Sequence, residues 1–263
     1  MVQKIVMGGR AAWLKHYGRQ PRSRRAAARV WNVIVGGLDA APLRSPPQHS
    51  HDQAKRLELR RLGQLRARGV LVPRVLGEGR DTLLLSDIGP SLSRRLRDAP
   101  APRQVDELVH GAVAAIVSAH RRGAYLGQAF ARNIVVADGR VGFIDFEEDP
   151  LEIMPLRDAQ ARDWLMFTAG VSRHYEGRSE VLAGMIGEAL PNVADGVARE
   201  VRQVADRLGF LHRCTRHLGR RARALGVAVV SLRNAFGALL FGLLTDIVSD
   251  GDCDVFDAMM SVL

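Results

Sequence analysis

Seven apolar residues at helical spacing, Val105, Leu108, Val109, Ala112, Val113, Ile116 and Val117, run into the loop His120–Gly123. Beyond it, two short apolar runs, Asn133 to Val136 and Val141 to Phe146, flank Ala137-Asp138-Gly139. No other part of the chain limits the fold as much. The period changes from 3.6 to 2 within one segment, so a long core helix must deliver the chain through a loop into a tight hairpin. A hairpin returns on itself, and the residues at its open end, Asn133 and Asp145, are therefore expected side by side.

The flanking regions read differently. Residues 1–17 give two strands around Gly8-Gly9, with Lys15 on the second, and residues 18–50 read as a basic, then proline-rich variable connection with a short helix around Ala26 to Val35. Gln53 to Arg68 carries Ala54, Leu57, Leu62 and Leu65 on one narrow helical face, ended by Gly69. Val70 to Val75 and Thr82 to Leu85 read as strands around a Gly77-Glu78-Gly79 turn, and Gly89-Pro90 as a linker. Helices are expected over 158–170, 179–189, 193–209, 213–225, 227–248 and 256–262. The fold class is α+β, with strands and one helix in 1–88 and a mainly helical 89–263 that holds the central hairpin.

With 263 residues the chain can bury a substantial core. Its net charge is +10, and no acidic residue precedes Asp39. Such a surface attracts phosphates, anionic lipid headgroups or nucleic acid. Nucleic acid fits least, because aromatics make up 5% of the chain and no stacking platform accompanies the cations. A second basic face runs from Arg199 to Arg223, and it reads as solvated or as a contact with the inner face of an anionic membrane. The two cysteines, Cys214 and Cys253, have no metal-type spacing and suit a reducing cytoplasm. There is no signal-peptide pattern at the amino terminus, and Arg233 and Asn234 break the most apolar segment, which reads as a buried helix.

The polar residues of the hairpin carry the chemistry. An amide oxygen and a carboxylate, Asn133 and Asp145, are the oxygen ligands that a magnesium ion takes together with phosphates. Asp145 follows the apolar run Val141 to Ile144, where an aspartate is atypical of a strand. Lys15 is one of three lysines, and Glu58 is the only acidic residue between Gln53 and Gly77. The run Glu147-Glu148-Asp149 reads as a solvated acidic loop, with an added metal ligand or binding of a cationic acceptor as the alternatives.

These residues resemble the protein-kinase-like superfamily, and within it the bacterial small-kinase branch that includes the lipopolysaccharide core (Kdo and heptose) kinases. In that branch the loop reads H-x-x-G-x-x-H-G-D-x-x-x-x-N-I, matched here by His120, Gly123, Gly127, Asn133 and Ile134, with departures at Leu126 and Gln128. The resemblance extends from Val6 to about Leu165. It implies a two-lobed fold, ATP between the lobes, magnesium on Asn133 and Asp145, and phosphates positioned by Lys15 and Glu58, with Ser86 and Asp87 counted as nucleotide-binding residues. It also implies a hydroxyl-bearing acceptor, such as a lipid-linked sugar, and a structural role for Asp163 in bracing the loop. Gly8-Gly9 is too little to make a phosphate-covering G-x-G-x-x-G loop. Gln128 stands where the branch has its catalytic Asp. An amide can only donate and accept hydrogen bonds, so Gln128 would orient the acceptor rather than deprotonate it.

Overall fold

The structure is a computed structural model that describes residues 2–18, 22–37, 39–194, 196–208, 227–228 and 230–232. Strands β1 (Val2–Met7) and β2 (Arg10–His16) form a hairpin through Gly8 and Gly9, both at positive φ, as a two-residue turn of this hand requires. Strands β3 (Val75–Glu78) and β4 (Thr82–Ser86) complete an antiparallel sheet of order β1-β2-β4-β3. Lys15 on β2 lies opposite Leu83 on β4.

Two elements depart from the expected pattern in this region. Val70 to Arg74 lies outside the strands, joined to β4 where Ser86 N donates to Arg74 O at 2.9 Å. Pro73 has no N–H to offer, and Leu71 accepts instead from Phe143 N at 2.9 Å. Gly77 and Glu78 belong to β3 rather than to a turn. The turn falls at 79–81, where Lys55 Nζ is 2.8 Å from Gly79 O and 3.0 Å from Arg80 O.

Helix α1 (Arg22–Gly37) leads into a single helical turn, Ala41–Leu43. The expected variable connection is in fact packed. Trp31 Nε1 donates to Leu43 O at 2.8 Å, and the Asn32 side chain bonds both the N–H and the C=O of Ser45. Val35, Ala40 and Leu43 are buried in the main core. These bonds join residues about a dozen apart through side chains, which periodicity does not reveal.

Helix α2 (His51–Ala67) starts at Ser50, whose N–H donates to Gln53 Oε1 at 3.1 Å. Its buried face holds the expected Ala54, Leu57, Leu62 and Leu65, and with them Glu58 and Arg61. After the linker come a short helix, α3 (Leu92–Asp98), capped by Ser91, and the long α4 (Pro102–Arg121). Strands β5 (Ile134–Ala137) and β6 (Arg140–Phe143) then pair around Asp138 and Gly139, both at positive φ.

Helix α5 (Leu156–Ser172) is the central element, buried along nearly its whole length. It packs so closely on the loop after α4 that a Cβ on Gly170 would lie 2.9 Å from Ala131 N. Helix α7 (Val197–Arg207) packs against it, and α6 (Ser179–Ala189) packs against α4. The fold is α+β as expected, an antiparallel sheet followed by a mainly helical region. Expected helices 213–225 and 256–262 lie outside the described residues, as does most of 227–248, of which Ala228 and Leu232 are buried. Among the described residues, no helix is long and apolar enough to cross a membrane.

Candidate functional site

Lys15 marks the junction between the sheet and the helical region. Its Nζ lies 2.8 Å from Glu58 Oε2 on α2, 2.8 Å from Asp145 Oδ1 and 2.9 Å from Glu147 Oε1, both in the segment after β6. Burial would lower the lysine pKa, but Asp145, Glu58 and Glu147 together hold it well above its ordinary value. Glu58 is fully buried, and burial raises its pKa against the pull of Lys15. Tyr17 OH also donates to Glu58 Oε2, at 2.6 Å. Tyr17 stands two residues after Lys15, and a strand places such residues on one face.

The loop between α4 and β5 is held by its backbone. Asp163 on α5, with no exposed surface, accepts from Leu126 N and Gly127 N at 2.7 Å each and bonds His120 Nε2 at 3.0 Å. Gln160 Nε2 donates to Ala124 O at 2.7 Å, and Arg162 Nε to Gly127 O at 3.0 Å. One buried helix therefore fixes the loop from several sides. The bracing contact expected of Asp163 is present.

The hairpin brings Asn133 and Asp145 together as expected. Ile144 N donates to Asn133 O at 2.9 Å, so Asp145 emerges directly beside Asn133. Asn133 Nδ2 donates to Gln128 O at 3.1 Å, which commits the amide nitrogen and leaves the amide oxygen as the atom able to ligate. Asp145 has φ +69°, a left-handed conformation that aspartate tolerates better than most residues. This pair fits a magnesium ion in donor chemistry, one amide oxygen and one carboxylate.

The acidic run after β6 is not a solvated loop. Glu147 meets Lys15, and Asp149 meets Arg60 Nη2 at 2.8 Å and Tyr125 OH at 2.6 Å. Glu148 lies beside Gln128 and Arg162; burial raises its pKa, while Arg162 and the Gln128 carboxamide oppose the rise. Each carboxylate has its own partner from another element, and sequence spacing gives no sign of that. Arg162 was equally hidden. It is buried, with Nη1 3.0 Å from Arg44 O and 3.3 Å from Pro42 O, and so ties the segment after α1 to the loop.

Ser86 and Asp87 sit apart from the Lys15 contacts. Ser86 Oγ accepts from Arg74 N at 2.9 Å, and Asp87 is held by Lys4 Nζ at 2.7 Å and Gly89 N at 2.9 Å. Burial works against the Asp87 charge, yet the bonds from Lys4 and Gly89 hold its pKa below the usual range. Of the basic face, Arg199, Arg202 and Arg207 lie on α7, and Arg207 pairs with Asp39 at 2.8 Å. Arg213, Arg216, Arg220, Arg221 and Arg223 lie outside the described residues.

No family model and no curated protein matches the chain. Among solved structures it is similar to WaaP in complex with acyl carrier protein, at 15% identity and a TM-score of 0.44, over 82% of this chain and 84% of that one. Similarity at that level carries no chemistry from that protein to this one.

Proposed function

We propose that the chain is an ATP- and magnesium-dependent phosphotransferase of protein-kinase-like type, acting on a hydroxyl of a sugar, a lipid-linked sugar or a protein. One observation carries the reading. A buried lysine–glutamate pair from the sheet side meets, through Asp145, a loop whose Asn133 is turned by its own bond to Gln128 O. Such transfer depends mainly on positioning and charge neutralisation, and these groups suit both tasks.

In this reading Lys15, held in place by Glu58, contacts the nucleotide phosphates once it exchanges part of its carboxylate shell for them. Asn133 and Asp145 hold magnesium, which when bound neutralises the charge of the transferring phosphoryl group. Ser86 and Asp87, where the sheet passes into the helical region, line the nucleotide side. Gln128 orients the acceptor hydroxyl by hydrogen bonding. An anionic lipid-linked sugar at the inner membrane face suits the +10 charge, and a cytoplasmic protein with peripheral membrane contact follows from that acceptor.

Gln128 favours a second reading, a pseudokinase that binds nucleotide or a partner without transfer. Titration of ATP by calorimetry with and without magnesium, with Asp145→Ala as control, tests the first step shared by both. Magnesium-dependent binding lost in the variant is the expected result, and no binding by the wild-type chain would sink the nucleotide reading. Transfer assays then separate the two.

A further inference from the structure

We propose that Glu148 is the proton acceptor for the reacting hydroxyl, supplying from the segment after β6 the carboxylate that Gln128 does not supply from the loop. This rests on the phosphotransferase reading above. The segment lies directly on the loop. A Cβ at Gly127 would stand 3.3 Å from Pro150 Cδ and 3.6 Å from Glu148 O, so the glycine beside Gln128 is what allows the approach.

The Glu148 carboxylate then reaches the Gln128 carboxamide. Its Oε2 is buried and has no hydrogen-bond partner among the described residues. The cation nearest to hand, Arg162 Nη2, stays 3.6 Å from Oε2, outside hydrogen-bond distance. Arg162 Nε and Nη1 are committed to the carbonyls of Gly127, Pro42 and Arg44. That oxygen thus faces Arg162 without a hydrogen bond, beside the loop residue that stands where a base is required.

The step balances with a nucleoside triphosphate as phosphoryl donor. The acceptor oxygen bonds to the γ-phosphorus, the bond from that phosphorus to the bridging oxygen breaks, and ADP leaves with the electron pair. The hydroxyl proton passes to the Glu148 carboxylate, whose side chain is 26% exposed, and is later lost to water. The groups facing Glu148 are Arg162 from α5, Gln128 from the loop, and Asp145 and Glu147 from its own segment. Burial holds its pKa above the usual carboxylate range, which suits a base working near neutrality.

The test measures magnesium-dependent release of phosphate from γ-labelled ATP, with water as the acceptor, alongside ATP affinity by calorimetry. Wild type, Glu148→Gln and the double variant Glu148→Gln with Gln128→Asp are compared. Glu148→Gln is expected to keep ATP affinity and to lose about 10²–10⁴-fold in turnover, the range for a lost general base. The added Gln128→Asp should restore part of it. Wild-type turnover should rise with pH along a limb above the ordinary glutamate value of about 4.3, and that limb should vanish in Glu148→Gln. Unchanged turnover in Glu148→Gln overturns the proposal, as does ATP binding with no phosphate release by the wild type. Should Glu148→Gln fail to fold, the wild-type profile decides alone, and a rate flat between about pH 4.3 and 8 overturns it. Absence of ATP binding by the wild type is a different result, and removes the phosphotransferase reading itself.

Discussion

Lys15 holds three carboxylates apart, and one of them, Glu58, has almost no access to water. Removing one member of a buried pair leaves an uncompensated charge, at a cost of about 3–5 kcal/mol. Lys15→Met should therefore destabilise the chain by about that amount in urea unfolding. Adding Glu58→Gln should recover part of the loss, giving a coupling of about 1–3 kcal/mol in a double-mutant cycle. Strictly additive effects would contradict the pairing. Lys15 and Glu58 were legible because each is scarce where it stands. Glu147 was not, since its partner comes from a strand about 130 residues earlier.

Two glycines in neighbouring helices should respond in opposite ways. Gly170 on α5 faces the backbone of Ala131, and a methyl group there would meet Ala131 N at 2.9 Å. Gly170→Ala should cost about 1–3 kcal/mol through overpacking, despite the better helix propensity of alanine. Gly184 on α6 has no atom within 4 Å of its would-be Cβ, so Gly184→Ala should stabilise by up to about 1 kcal/mol. Thermal unfolding of both variants checks the pair, and equal shifts would contradict the packing of α5 on the loop. Beside these helices, His174 has its pKa lowered to about 4 by burial, Arg173 and Arg97. A histidine held neutral in the fold contributes stability near pH 7 that is lost as pH falls from about 6.5 towards 4. His174 is partly exposed, so about 1 kcal/mol is expected after allowing for solvent screening. His174→Gln should flatten the acid side of the stability profile over that window.

For the whole molecule, a ligand that bridges the sheet side and the helical side stabilises both together. At 100 times its Kd, magnesium–ATP should add about 2.7 kcal/mol. For a chain of this size that corresponds to a rise of about 5–10 °C in Tm. Asp145→Ala should abolish the rise. A shift that persists in that variant would place the nucleotide elsewhere. The packing of residues 41–44 on α5 through Arg162 makes the segment after α1 part of the same body, although its prolines and arginines read as a variable connection.

The order of elements, the α4-to-hairpin junction and the adjacency of Asn133 and Asp145 followed from sequence, because periodicity, turn residues and hairpin closure act over a few neighbouring positions. The identity of Gln128 was equally plain, and with it the absence of a base at that position. Which carboxylates surround Lys15, how Arg162 joins the segment after α1 to the loop, and where Glu148 comes to lie were decided only by tertiary structure. Those contacts join elements far apart in the chain, and each depends on buried charges finding partners that no local pattern specifies.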